Sequence, residues 1–370
     1  MQVHERGKRV ALYNLSLLGC TFFMPVLGGY ISVKHGWRVQ FYIMAAFIGF
    51  ASICVFFLVP EHSYNRPAIF DTDTSSCENL SELDEQLAEE GKDTNDGNKP
   101  EVDAAVVQEK KRTFLQELSL YNGRFSEESM IRCLLAPFVL FIYPATLWGF
   151  LLQGTFISWG IAVSLVLAQL FTAPPYSFNP TQLGYMYAAP FIGAVLSYFA
   201  AGAFSDVIAK YMAKRNNNIY EPEFRILLVI PIAIVSLPGI FAFGFTTSAA
   251  THWIVPSISY GLLTFGVVMS CTTTFAYILD AHRNISVQMM VSVLLLKNFW
   301  AFGTTFFINK WVVAMGVKKM FCIIGAIQAS ICVLSVSMYV FGKVQRDLVR
   351  RWNPLEKVGL YPKSVHEMGH

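Results

Sequence analysis

The residue best placed for chemistry is a lysine inside an apolar run. Lys297 follows ten uncharged residues of the run 287–309, which is long enough to cross a membrane. A charge near the middle of a bilayer is costly unless it faces a cavity or a partner, and Lys297 is too deep to reach the headgroups. We therefore expect Lys297, with Asn298 and Trp300, to face a cavity that binds a solute. The alternatives are a structural hydrogen bond to the backbone and an uncharged amine.

Aromatic side chains of other apolar runs are further candidates for the wall of such a cavity. Trp148 lies near the start of the run 134–171, and Tyr260 and Tyr277 lie in the run 253–279. Aromatic faces bind organic cations well. Packing between helices or a position at the membrane surface is the alternative for each of them.

A second group of charges follows the apolar run 183–205. The segment "GAFSDVIAKYMAKRN" (202–216) contains Gly202, Asp206, Lys210 and Arg215. Because Asp206 precedes Lys210 by four residues, the two side chains share one face of a helix. By itself, such a group is typical of an ordinary solvated loop.

Small residues and a proline mark the first apolar run, 10–32. Pro25 predicts a kink or hinge, and Gly28 and Gly29 allow a neighbouring helix to approach closely. Ordinary helix packing and a role in conformational change are both open.

The composition is that of an integral membrane protein. Of the 370 residues, 54% are hydrophobic and 14% are charged, whereas about 25% are charged in ordinary soluble domains. The seven cysteines are scattered singly, and no HExxH, GxSxG or Walker-type loop occurs. These patterns predict no enzyme, no metal or other cofactor, and no nucleic-acid partner; the lipid bilayer is the expected surrounding.

Eight apolar runs predict an all-α polytopic fold. They cover 10–32, 39–59, 134–171, 183–205, 226–248, 253–279, 287–309 and 320–342. The third is overlong, and Pro137 and Pro144 near its start predict a kink or an interfacial stretch. Basic residues are concentrated in the loops on one side, which places both termini in the cytoplasm.

A polar segment divides these runs into two and six. Thirteen of the 25 acidic residues lie between Asp71 and Glu109, and this composition predicts a disordered cytoplasmic linker over 62–132. The expected organisation is therefore a pair of helices in 1–61, the linker, six helices in 133–343, and a cytoplasmic tail over 344–370.

The local sequences resemble a known transporter family. Residues 4–43, "HERGKRVALYNLSLLGCTFFMPVLGGYISVKHGWRVQFYI", are similar to the loop and fifth helix of major facilitator carriers of the drug:proton antiporter type; Met24 replaces a glycine of that pattern. Residues 202–216 resemble the family's loop signature between the second and third helices of each half. Residues 220–234, "YEPEFRILLVIPIAI", and 294–311, "LLLKNFWAFGTTFFINKW", look like the fungal branch of histidinol- and polyamine-type organic cation permeases.

The resemblance implies a carrier that works by alternating access, with the first four helices of the family absent from this chain. It implies that the solute is a small organic molecule, such as an organic cation, polyamine or drug. It also implies that transport is coupled to protons and that the carrier lies in the plasma membrane. It also implies gating roles for Gly202, Asp206, Lys210 and Arg215. However, no carboxylate lies inside an apolar run, so either the proton site is on helices not present here or the coupling differs. Because Lys297 is basic, an anionic or neutral solute remains an alternative to an organic cation.

Two other hypotheses remain. The chain could be a truncated, non-transporting membrane protein or scaffold, because two helices do not replace a six-helix half. It could also complete the fold as a homodimer, although no feature of the sequence indicates an oligomer.

Overall fold

The computed structural model describes residues 12, 16, 20–58, 130–174, 176–217, 219–282 and 285–352. The linker expected over 62–132 lies outside these residues, apart from 130–132. The described residues form helices and turns, with no strand among them. Their eleven α-helices are α1 (Cys20–His35), α2 (Trp37–Leu58), α3 (Met130–Val139), α4 (Pro144–Gly149), α5 (Thr155–Thr172), α6 (Pro180–Tyr185), α7 (Ala188–Arg215), α8 (Val229–Ser248), α9 (Ile254–Ala281), α10 (Ser286–Met315) and α11 (Val317–Trp352).

Seven segments of the described chain are long and apolar enough to cross a membrane. They are Trp37–Phe57, Pro144–Thr172, Pro180–Arg215, Pro222–Ser248, Ile254–Ala281, Ser286–Met315 and Val317–Val349. Each overlaps one of the predicted runs from 39–59 onward. The first predicted run, 10–32, is represented by α1 only from Cys20, and most of the residues before Cys20 lie outside the described part. The all-α polytopic prediction is confirmed.

The described residues divide into two units. The first consists of residues 42–58, the greater part of α2, and its side chains are mostly exposed and apolar. The second contains α1, the start of α2, and α3 to α11. Its core surrounds α9, which is buried over most of its length and packs against α5, α7 and α8. A Cβ on Gly193 of α7 would collide with the backbone carbonyl of Gly261, so glycine at this position permits the close approach of α7 and α9.

The long run 134–171 is broken, as its prolines predict. Tyr143 has an extended backbone (φ −67°, ψ 127°), because the ring of the following proline disfavours the helical conformation there. Pro144 then occupies the first turn of α4, where its missing N–H costs no hydrogen bond. A π-helical turn, Phe150–Gly154, joins α4 to α5. Such turns rotate the side chains that follow and are frequent at functional sites.

Candidate functional site

Lys297 of α10 lies beside the π-helical turn Phe150–Gly154 and close to α9. It is eleven residues beyond Ser286, the start of α10, or about 16 Å along the helix axis, which is close to the middle of a bilayer core about 30 Å thick. Gly154 of the π-helical turn lies beside it, because a Cβ on that glycine would be 3.5 Å from the Cα of Lys297. The ammonium lies within electrostatic range of the buried thiol of Cys271 on α9. Lys297 itself is half-buried.

Two candidate residues lie close to Lys297 in the sequence of α10. Asn298 and Trp300 are exposed, and the ring of Trp300 meets the edges of Phe150 and Trp159, with centroids 6.3 and 6.5 Å apart. The indole N–H of Trp159 donates a hydrogen bond to Oε1 of buried Gln328 (3.0 Å). Phe150 and Gln328 were not predicted from the sequence. The signal for Gln328 was a lone glutamine in the apolar run 320–342.

The other three predicted cavity aromatics lie inside the packing of the bundle. Trp148 is buried, donates a hydrogen bond to Ser335 (2.8 Å) and meets the ring of Tyr277 at 5.3 Å. Tyr260 is fully buried, and its hydroxyl is 2.7 Å from that of Ser164. The structure therefore brings the rings of Trp148 and Tyr277 together, whereas Trp300 meets the rings of Phe150 and Trp159. A role for these three side chains in binding a solute stays a prediction.

The predicted gating residues lie on the second half of α7. Lys210 is exposed, and the exposed guanidinium of Arg215 lies 4.9 Å from the ring centroid of Tyr211. Gly202 is half-buried. The side chain of Asp206 lies outside the described part of the structure, so its pairing with Lys210 stays a prediction.

A buried ion pair lies beside this end of α7. Arg225, in the 3₁₀-helical segment Pro222–Leu228, donates from Nε to the carboxylate of Asp280 at the end of α9 (3.0 Å). Both side chains are at most 3% exposed. The Tyr220 hydroxyl also donates to Asp280 (2.6 Å), and Nη1 of Arg225 donates to the hydroxyl of Ser205 on α7. Burial raises the pKa of Tyr220, so its hydroxyl stays a donor.

A second buried carboxylate joins the same segment to α11. Glu223 is 2% exposed and accepts two hydrogen bonds from Arg346, at 2.9 and 3.0 Å. Glu221 pairs with the exposed Lys343 (2.6 Å), and the hydrogen bond from Lys343 holds the pKa of Glu221 below its usual value. We call the set Glu221, Glu223, Arg225, Asp280, Lys343 and Arg346 the charged end. The sequence indicated neither the burial of Asp280 nor its partner.

A small cavity of about 10 Å³ adjoins the charged end, enough for about one water molecule. Its lining includes Tyr143, His282, Gln345 and Arg346. Burial and the nearby charge of Arg346 lower the pKa of His282 to about 4. His282 is therefore neutral at pH 7. Within the described residues, no group of three potential metal ligands occurs.

Close backbone contacts between α1 and α6 involve the predicted hinge residues. A Cβ on Gly29 would lie 2.5 Å from the carbonyl oxygen of Pro180, and one on Gly184 would lie 2.8 Å from the carbonyl oxygen of Pro25. The Thr181 hydroxyl donates to the Gly29 carbonyl (3.3 Å). Gly28 instead makes room for Gln40, whose amide would lie 2.7 Å from an added Cβ. Pro25, Gly28 and Gly29 thus serve close packing; whether this contact moves stays a prediction.

Comparisons with known proteins agree on one family. A family model described as Major Facilitator Superfamily matches residues 1–291. An uncharacterized MFS-type transporter of Schizosaccharomyces pombe is 25% identical over 94% of this chain and 64% of its own length. Protein HOL1 of Saccharomyces cerevisiae is 24% identical over 94% and 67%, and the MFS-type transporter penM of Penicillium rubens is 25% identical over 92% and 60%. The chain thus spans about two thirds or less of the length of these relatives. No solved structure matches it.

Proposed function

The chain belongs to the major facilitator superfamily, and we propose that it carries small organic solutes across a membrane by alternating access. In such carriers a site near the bilayer midplane is exposed to each side in turn, largely by rigid-body rocking. The observation that carries the proposal is the position of Lys297. A half-buried lysine near the midplane, flanked by exposed Asn298 and Trp300, supports a functional role, because charged residues inside a membrane usually face a cavity or a substrate pathway.

The charged end supports the rigid-body part of this proposal. Its buried pairs join α9 and α11 to the segment Pro222–Leu228, and Arg225 extends the contact to α7. Because all these elements belong to one bundle, we propose that the charged end keeps the bundle intact while it rocks. Exposed Lys210 and Arg215, with Gly202 and Asp206, remain the candidates for a latch that forms and breaks.

The proposed organisation follows the sequence analysis. Residues 1–61 supply the last two helices of one half, 62–132 a cytoplasmic linker, 133–343 the six-helix half, and 344–370 a tail, although α11 continues to Trp352. The basic residues of the charged end favour the cytoplasmic side for that end and for both termini. The plasma membrane is the proposed location. Proton coupling and the organic cation class stay predictions.

The competing proposal is a membrane protein that does not transport. Uptake of labelled organic amines and carboxylates into transport-deficient yeast separates the two. Expression of the 370-residue chain is expected to raise uptake of at least one solute, and Lys297→Met is expected to abolish that gain. Lys310→Met is the matched control, because Lys310 is an exposed lysine of the same helix. Uptake equal to that of cells carrying an empty vector would refute the proposal.

A further inference from the structure

The charge of Lys297 is not balanced by the part of the chain that the structure describes. The acidic side chains described there are Glu221, Glu223, Asp280 and Asp347, and each pairs with an arginine or lysine other than Lys297. The first three belong to the charged end. Lys297 lies about 16 Å along α10 from the start of that helix. Its ammonium is thus a half-buried cation with no carboxylate partner among the described residues.

The surroundings of Lys297 combine hydrogen-bond donors with flat apolar surfaces. The exposed amide of Asn298 is next to it in sequence, and the exposed ring of Trp300 follows within one turn of α10. Phe150 and Trp159 extend the aromatic surface behind Trp300. Gly154 keeps the backbone of the π-helical turn close to Lys297, where a side chain would fill the space.

The charge of Lys297, in these surroundings, determines whether a positively or a negatively charged ligand binds more strongly. An amine bound here would face the charge of Lys297 with no described carboxylate to offset the repulsion. A carboxylate instead accepts charge-assisted hydrogen bonds from the ammonium, and these are the stronger kind of hydrogen bond. Because the site is partly shielded from water, the attraction is screened less than it would be at a protein surface.

We propose that Lys297 binds the carboxylate of an aromatic organic acid whose ring lies against Trp300 and Phe150, so that the solute is an organic anion. This inference rests on the proposed transport function for its physiological meaning, but binding can be measured without transport. It differs from the organic cation class that the local sequence resemblance implies.

A matched pair of probes tests the sign of the ligand charge. 3-Phenylpropionate and 3-phenylpropylamine share the ring and the chain length and carry opposite charges at pH 7.5. The purified 370-residue chain is titrated with each, and thermal unfolding is followed by tryptophan fluorescence. The carboxylate is expected to raise the Tm in a saturable way, and the amine is expected to do so at least about tenfold more weakly.

Three variants locate the effect. Lys297→Met is expected to weaken binding of 3-phenylpropionate at least about tenfold, whereas Lys297→Arg, which keeps the charge, and Lys310→Met are expected to retain it. Lys297→Gln replaces Lys297→Met if the methionine variant fails to fold. Preferential binding of the amine, binding of neither probe, or equal binding by wild type and Lys297→Met would each overturn the inference.

The inference and the proposed function fail in distinguishable ways. If the carboxylate binds through Lys297 and no solute is transported, the ligand assignment stands and the transport function fails. If the amine is transported and the carboxylate neither binds nor moves, transport stands and the organic anion assignment is wrong.

Discussion

Loss of the Asp280 carboxylate is expected to destabilise the bundle strongly. Asp280 accepts hydrogen bonds from Arg225 (3.0 Å) and Tyr220 (2.6 Å), and the ion pair is almost fully buried. Asp280→Leu leaves the Arg225 guanidinium buried without its counter-charge. Breaking a buried pair in this way costs about 3–5 kcal/mol, which corresponds to a fall in Tm of roughly 6–20 °C for a bundle of this size. Arg225→Met is expected to cost a similar amount.

The double variant distinguishes a coupled pair from two separate contributions. Arg225→Met with Asp280→Leu removes both charges and places apolar side chains of similar size in the site, so no unpaired charge remains. Its Tm is therefore expected to lie above that of either single variant. In the double variant the Tyr220 hydroxyl loses its acceptor, which costs on the order of 1–3 kcal/mol. The Tm of the double variant is therefore expected to stay below that of the wild type.

The assay is tryptophan fluorescence on the purified chain during heating. Lys343→Met is the matched control, because Lys343 is 64% exposed in its pair with Glu221, and exposed pairs contribute about 0–1 kcal/mol. If the two single losses add up in the double variant, Arg225 and Asp280 are not coupled and the reasoning fails.

Two further predictions concern the helix contact and the cavity. Gly29→Ala places a methyl group 2.5 Å from the Pro180 carbonyl oxygen and is expected to cost about 1–3 kcal/mol, seen as a lower Tm. Gly303→Ala has no neighbour within 4 Å and is its control; equal Tm values for the two would contradict the close contact. The folded-state pKa of His282, about 4, is below the ordinary 6.5, so the unfolded chain binds more protons. Stability is therefore complete above pH 6.5 and falls as the pH drops toward 4, by about 2 kcal/mol at pH 5. His282→Gln is expected to remove this part of the acid sensitivity. If the variant and the wild type show the same change of Tm between pH 7 and pH 5, this prediction is wrong.

The sequence predicted the helices well because one variable, the length of an apolar run, determines which segments can cross a bilayer. It also predicted the break before α4, since proline acts locally on Tyr143. The π-helical turn at Phe150–Gly154 carries no comparable local signal. It packs against α10, and this contact between distant parts of the chain is not indicated by the sequence.

Pairings between distant residues were the main omission at the site. Arg225 and Asp280 are 55 positions apart, and only the three-dimensional arrangement shows that the start of one helical segment meets the end of another. For the same reason, the sequence could not separate Trp300, which is exposed, from Tyr260, which is fully buried. Residue type indicated which side chains can bind a solute, and packing determines which of them are accessible.

Solute counterflow measures alternating access most directly. The purified chain is reconstituted in liposomes loaded with unlabelled 3-phenylpropionate, and uptake of the labelled compound is followed, with protein-free liposomes as the measure of leak. An alternating-access carrier exchanges internal for external solute, so the label is expected to accumulate transiently above its equilibrium level, and Lys297→Met is expected to abolish this overshoot. The same experiment with vesicles loaded with 3-phenylpropylamine or spermidine tests transport of positively charged solutes. The absence of an overshoot with all three solutes would contradict transport by alternating access.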